Sequence, residues 1–354
     1  MDDLRRGARC RAVALGAARS ASLRWRLEIV AARAASALAA FAESGRAASV
    51  VVLAAGALAA LAAPARATIV SVDDTGRSIL LVRPAQRVAT LAPSLTELVF
   101  AAGGGATLVA TTTLSDFPPA ARRIPRVGDA GRLDVERLVA LKPDLVFVWQ
   151  SGNTGRELDQ LAAAGIPLYR LEPKRLDDVP RAIERIGVLL GREAEATARA
   201  TDLRTRLAEL RKRYAGAAPV RVFYQLWASP LMTVNATHLI GDAIRSCGGQ
   251  NLFGALAPLV PLVSSEAVAV ADPEAILAAD ERGGDAPAWR RDPASPAFGG
   301  WRRQAGLTAV RRDWLYMLNG DAISRQGPRI VDGVAAICAA LDEVRRERAA
   351  RAPR

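Results

Sequence analysis

One histidine, His238, and three cysteines, Cys10, Cys247 and Cys338, are the whole stock of imidazole and thiol in 354 residues. No Cys-x-x-Cys or His-x-x-x-His spacing occurs, so a metal centre lacks its ligand set. Covalent catalysis needs a nucleophile in reach of a base that a third group orients. With one His and no nucleophile elbow, that constellation is hard to assemble, and glycine-rich phosphate loops are absent. No enzyme, no metal and no catalytic cofactor are therefore expected. The chemistry that remains is that of carboxylates. Glu136-Arg-Leu-Val-Ala-Leu-Lys-Pro143-Asp144 runs into Leu145–Trp149, and Glu266-Ala-Val-Ala-Val-Ala-Asp-Pro273-Glu274 runs into Ala275–Ala279. Each copy sets a Glu seven residues before a Pro, an acid after it, then a buried strand. Either Glu alone could be an ordinary helix-start acid favoured by the macrodipole. The matched pair reads as two docking carboxylates, one on each of two similar lobes, because a 130-residue offset far exceeds a solenoid period of roughly 20–50 residues.

The elements that must carry these acids alternate between strand and helix, as in a mostly parallel sheet covered on both faces. Arg87–Leu91 is a strand, and Ser94 with Glu97 three residues on reads as a capping box. Leu108–Thr111 and Leu145–Trp149 are strands, Asp134 caps the helix bearing Glu136, and Gly152–Ala164 is a further helix before strand Leu168–Leu171. From Leu176 to Tyr214 the pattern is helical, with a break expected at Gly191. The second half repeats the rhythm: strand Val220–Gln225, helix Leu239–Ser246, strand Ala275–Ala279, a loop over 280–300, strand Asp313–Leu318, and a last helix from Gly327 to about Arg348. Domain bounds follow as 68–175, a helical connection over 176–215, and 216–354.

Residues 1–67 form a leader. Arg46, an apolar run over about 47–63 and Ala65-Arg66-Ala67 are the parts of a cleavable secretory signal, and the run falls short of the ~20 residues of a membrane span. Export to the periplasm is expected. Setting aside ten Arg and four acids in that leader leaves 38 basic against 32 acidic residues, a mild net charge of +6. The scattered Arg make nucleic-acid binding a weak reading. Cys247 and Cys338 are an even pair in an exported chain, most simply a disulfide, with two buried free thiols as the alternative. Closing that loop is worth about 4 kcal/mol in the chain-entropy model.

Several stretches, taken in order, carry a family resemblance. They are Leu114-Ser-Asp-Phe-Pro-Pro119, Val135–Leu145, Gly152-Asn153 with Leu158-Asp-Gln-Leu161, Cys247-Gly-Gly249 with Asn251-Leu-Phe253, Val263-Ser264 with Glu266, Asp321, Arg325 and Pro328-Arg-Ile330. From about Arg87 to about Leu341 the chain resembles the periplasmic substrate-binding proteins of ABC importers for cobalamin, within the class that also carries haem and iron-siderophores. The resemblance implies two Rossmann-like lobes joined by a long rigid helix, with a corrinoid or related tetrapyrrole in the cleft between them. It implies that Glu136 and Glu266 meet arginines of a permease dimer, that Cys247 pairs with Cys338, and that the protein acts as a monomer. It sets Phe117 against the ligand and Asp321 with Arg325 as a polar pair at the cleft. Two positions where the family has a cleft Trp are here Ala130 and Val260, and Trp227 and Trp149 are the candidates to replace those aromatic faces.

Overall fold

A computed structural model describes residues 68–351 except 130, 154, 281, 282 and 285, so the expected leader and Ala130 lie outside the described residues. β1 (Ile69–Val72) and β2 (Ser78–Leu81) pair as an antiparallel hairpin. The first lobe follows with β3 (Val88–Thr90), α1 (Pro93–Ala101), β4 (Leu108–Ala110), α2 (Val135–Ala140), β5 (Leu145–Trp149), α3 (Arg156–Ala163) and β6 (Leu168–Leu171). Its sheet is parallel throughout, in the order β4-β3-β5-β6. Both faces of β5 are covered. Leu145 and Phe147 point into one apolar cluster while Val146 and Val148 point into another, which is why the strand reads as a continuous apolar run.

Two helices lead to the second lobe, α4 (Asp178–Leu190) and α5 (Glu193–Tyr214). They pack antiparallel and are stitched by Arg204–Glu184 (2.6 Å) and Arg211–Asp177 (2.9 Å). Gly191 turns the chain between them with φ +64°, and a β-carbon there would meet Pro84 at 2.9 Å. The connection is thus a helical hairpin, with a 22-residue second arm about 33 Å long at ~1.5 Å per residue.

The second lobe contains β7 (Val220–Gln225), β8 (Trp227–Ala228), β9 (Leu231–Met232), α6 (Leu239–Ser246), β10 (Gly249–Asn251), α7 (Ser265–Ala271), β11 (Ala275–Asp280), β12 (Trp289–Arg291), α8 (Gly299–Arg302), α9 (Thr308–Arg311), β13 (Leu315–Asn319), α10 (Gly320–Ile323) and α11 (Ile330–Ala350). Its sheet runs β10-β7-β11-β13-β12, with only β12 antiparallel. One apolar cluster passes through both sheets by way of α4, α5, α6 and α11. Cys247, at the end of α6, is disulfide-bonded to Cys338 in α11, with α-carbons 4.8 Å apart. Among the described residues no helix is long and apolar enough to cross a membrane.

Three local expectations need correction. Residues 280–300 are more than a loop, because β12 within them closes the sheet edge against β13. The helix expected from Gly152 starts at Arg156, since residues 150–152 turn and Gly155 has φ +106°. Ser94 caps nothing: α1 is preceded by Ala92, starts on Pro93, and has no side-chain cap. Glu97 is instead drawn into the candidate site.

Candidate functional site

Ligands of parallel α/β sheets gather outside the carboxyl ends of the strands, where loops fan apart. Four of the five expected ligand residues lie there by connectivity. Phe117 is in the loop after β4, Trp149 ends β5, Trp227 follows β7, and Asp321 opens α10 directly after β13. Arg325 stands one turn beyond Asp321.

Glu97 is the centre of the charge arrangement. It is 2% exposed, yet no neighbour in its own helix satisfies it. Two arginines from the other lobe do. Arg329 donates through Nε (3.0 Å) and Nη2 (2.6 Å), and Arg325 through Nη1 (3.1 Å). Arg325 also holds Asp116 at 3.1 Å and Asp321 at 2.8 Å. Three carboxylates and two guanidiniums thus tie the first lobe to the second. Burial pushes the Asp116 carboxyl up, but the Arg325 hydrogen bond and charge outweigh it and hold Asp116 below the usual carboxylate range. Burial works against the charge on Arg329, and Glu97 more than restores it. Alongside, Gln326 of the second lobe donates to Glu172 of the first (3.1 Å).

Phe117 joins this network through its ring, with the Arg329 guanidinium 4.3 Å from the centroid. Such stacking on a partly desolvated Arg adds attraction of roughly 0.5–2 kcal/mol. The ring stays 40% exposed. Phe117, Asp321 and Arg325 are therefore brought together, along with Glu97, Asp116 and Arg329. Sequence reasoning missed these last three as site residues. Arg329 stands within the Pro328-Arg-Ile330 motif, and the spacing of Glu97 imitates a capping box. The two tryptophans stand apart from the network. Trp149 is half-buried against the core, with its ring under Gly152 and its Nε1 unpaired. Trp227 is 54% exposed, and its Nε1 donates to the Ser229 carbonyl (2.9 Å), which fixes the ring along the β8–β9 hairpin.

Glu136 and Glu266 occupy equivalent places in the two lobes. Each is the exposed second residue of a short helix. The residue two before it caps that helix, Asp134 accepting from Arg137 N (2.9 Å) and Ser264 from Ala267 N (3.1 Å). Six residues after each Glu the backbone turns left-handed, at Lys142 (φ 50°) and Asp272 (φ 41°). The acid after the proline then ties down the neighbouring strand: Asp144 accepts from Arg87 N and Glu274 from Arg221 N, both at 3.0 Å. The repeated letters encode a repeated backbone. Hydrogen bonds from its own backbone NH, Ser264 and Ser265 hold the Glu266 carboxyl below its ordinary range.

A family model described as periplasmic binding protein matches residues 88–322. The chain belongs to that family. Vitamin B12-binding proteins are among its curated relatives: that of Vibrio cholerae is 36% identical over 258 residues, covering 73% of this chain and 90% of its own. The relative in Pectobacterium atrosepticum is 33% identical over 268 residues, covering 73% and 90%. The crystal structure of periplasmic vitamin B12 binding protein BtuF of Vibrio cholerae matches with a TM-score of 0.65 at 34% identity, over 74% of this chain and 98% of that one. Periplasmic haem-binding protein RhuT from Roseiflexus has a TM-score of 0.63 at 22% identity, over 73% and 99%. At that identity it attests to the two-lobed fold alone.

Proposed function

We propose that this chain is an exported solute-binding protein that holds cobalamin between its lobes and delivers it to an ABC import permease. The supporting observation is the meeting of the exposed Phe117 ring with an ion network shared by both lobes at the carboxyl edges of the sheets, in a relative of vitamin B12-binding proteins. Small-molecule clefts combine apolar walls with a few oriented polar groups. Phe117, Trp227 and the half-buried Trp149 supply apolar surface, and Asp321 and Arg325 supply polar contacts at the edge of the ligand. No bond is made or broken, and no catalytic cofactor takes part. Glu136 and Glu266 engage arginines of the permease dimer, one from each lobe. The protein works as a periplasmic monomer after removal of its leader.

Titration of the purified chain, begun at Thr68, with cyanocobalamin tests the reading. Heat of binding and tryptophan quenching at micromolar ligand or below are expected. Silence at tens of micromolar, with haemin or a ferric siderophore binding instead, would overturn the cobalamin assignment and keep the transport class.

A further inference from the structure

A cavity of about 320 Å³ lies in the second lobe against the start of α7. Packing brings its floor together from distant parts of the sequence. Leu231 of β9 and Ala297, in the short turn before α8, rest on the apolar cluster that holds Phe223 and Val268. Trp301 of α8 stands within that cluster, 4% exposed, with its ring edge-on to Phe223 at 5.5 Å. Gln225 closes the bottom from the end of β7. Both ends of its amide are engaged: Oε1 accepts from Trp301 Nε1 (2.5 Å) and Nε2 donates to the Ala297 carbonyl (2.9 Å). The floor is therefore mainly apolar, while Ser265, Arg303 and Gln304 make a polar rim.

Two observations say which side of the lobe this cavity serves. In the β8–β9 hairpin Ala228 pairs with Leu231, and Trp227 with Met232. Residues paired across antiparallel strands share a face, and faces alternate along each strand. Ala228 and Leu231, which line the cavity, therefore stand on the hairpin face that Trp227 does not occupy. On the other side Ser265 lines the cavity, and its Oγ donates to the Glu266 carboxylate (3.0 Å). A single hydroxyl thus separates the cavity from the carboxylate assigned to the permease. Glu136 has a different neighbour. The cavity beside it is lined by Asp129, Asp134 and Glu157 against one cation, Arg132. The repeat makes the two glutamates equivalent and leaves their surroundings unlike.

We infer that this cavity is a socket for one uncharged, apolar side chain of the permease, seated beside the arginine that meets Glu266. The inference rests on the proposed docking of Glu266. Protein interfaces place their anchors in apolar pockets ringed by polar residues that exclude water. Small-molecule clefts span roughly 300–1,000 Å³. At the low end of that range the cavity admits one large side chain and no tetrapyrrole macrocycle. Charge selects among side chains. Arg303 stands at the rim, its Nη1 on the Gly299 carbonyl (3.2 Å), and repels a second arginine. The cationic contact therefore stays on Glu266, and the side chain next to it in the socket is neutral.

Gly300 allows the socket to be filled without disturbing the fold. It lines the cavity from α8, and a β-carbon there meets nothing within 4 Å. Surface-plasmon measurements of the chain begun at Thr68, on its reconstituted permease, compare wild type with Gly300→Leu, Ala228→Asp, Glu266→Ala and Gly306→Leu. Leaving one large apolar side chain uncovered weakens binding about tenfold or more. Gly300→Leu should lose that much permease affinity and keep cyanocobalamin affinity (or haemin affinity, if wild type takes haemin) within twofold. Ala228→Asp sets a charge beside the guest from an exposed position and should weaken association too. Gly306→Leu adds a leucine outside the cavity, where a β-carbon is equally free, and should match wild type. Gly300→Leu that associates within twofold of wild type overturns the socket. Tighter association of Ala228→Asp reveals a cationic guest and overturns it, as does equal weakening by Gly306→Leu. Loss of ligand affinity in Gly300→Leu gives the cavity to the ligand and overturns the socket as well. Glu266→Ala separates the two readings: if it associates normally while Gly300→Leu does not, the socket stands and the docking glutamate falls. If both associate normally, or wild type does not associate at all, both fall. Should Gly300→Leu unfold, Ala228→Asp decides alone, and unchanged association then overturns the socket.

Discussion

His238, the sole imidazole of the chain, shows what a single half-buried residue does to the response to pH. It stands at the start of α6, where its Nδ1 accepts from Ile240 N (3.1 Å), so the cap works only while that nitrogen is unprotonated. Burial drives the ring down to about 4, with the Glu172 charge offsetting a little. The unfolded chain takes up its proton near pH ~6.5, well before the folded chain does. The contribution of this residue is therefore complete above about pH 6.5 and is lost as pH falls through about 4, a change of roughly 3 kcal/mol. Urea unfolding of wild type should lose that much more stability between pH 7 and 4 than His238→Asn, which keeps an acceptor and cannot be protonated. An NMR titration of the imidazole should centre near 4, and a midpoint near 6.5 would show that burial has no such effect. The position at a helix start was legible in the sequence, but the depth of burial was not. The same limit explains Glu97, since three-residue spacing suits both a capping box and a carboxylate aimed at arginines 228 and 232 positions away. Local pattern carries no record of partners so distant. Arg325 and Asp321 were legible only because they stood in a family pattern.

Among the elements, strand and helix order was read nearly throughout, because buried parallel strands and amphipathic helices have strong periodic signatures. The misses fell where a short element owes its existence to a neighbour. β12 has three residues and forms only because β13 offers it an edge. The paired helices α2 and α7 were anticipated as equals, and their caps, left-handed ends and strand anchors agree position by position. The disulfide ties two elements that packing already joins, α6 and α11. Its main effect is on the unfolded chain, where it closes a loop spanning 91 positions, worth about 4 kcal/mol on the entropic model. Reduction, or the double change Cys247→Ala with Cys338→Ala, should lower the unfolding free energy by about that amount. Cyanocobalamin affinity should hold, because both sulfurs are buried in the core beneath α11 rather than at the carboxyl edges of the sheets. A bridge-free protein of unchanged stability would mean that α6 and α11 stay equally associated in the unfolded state. Equal loss of stability and affinity would tie the bridge to the cleft.

At the scale of the whole molecule, the apolar cluster running through α4, α5 and α11 joins the lobes, and the Glu97 network joins them again through α1 and the start of α11. Two such connections between the lobes oppose a wide hinge motion. The paired glutamates thereby keep a nearly fixed spacing, and a permease dimer can engage both without ordering a flexible protein first, which preserves affinity. Two anchors on one rigid body act together: once the first is engaged, the second binds at high effective concentration. On the proposed docking, removing one carboxylate would leave a permease arginine desolvated and unpaired, at a cost of about 2–5 kcal/mol. Glu136→Ala and Glu266→Ala should each weaken association with the permease by tens-fold or more, and the double variant should weaken it further still. Cyanocobalamin affinity should be unchanged in all three, since both side chains are solvent-exposed helix-start residues without contact to the charged network. Surface-plasmon measurements on reconstituted permease, with ligand titrations in parallel, separate the outcomes. A double variant that associates and supports uptake normally would reduce the two glutamates to helix-start acids. Loss of ligand affinity in either single variant would instead move that carboxylate into the cleft and break the equivalence of the lobes.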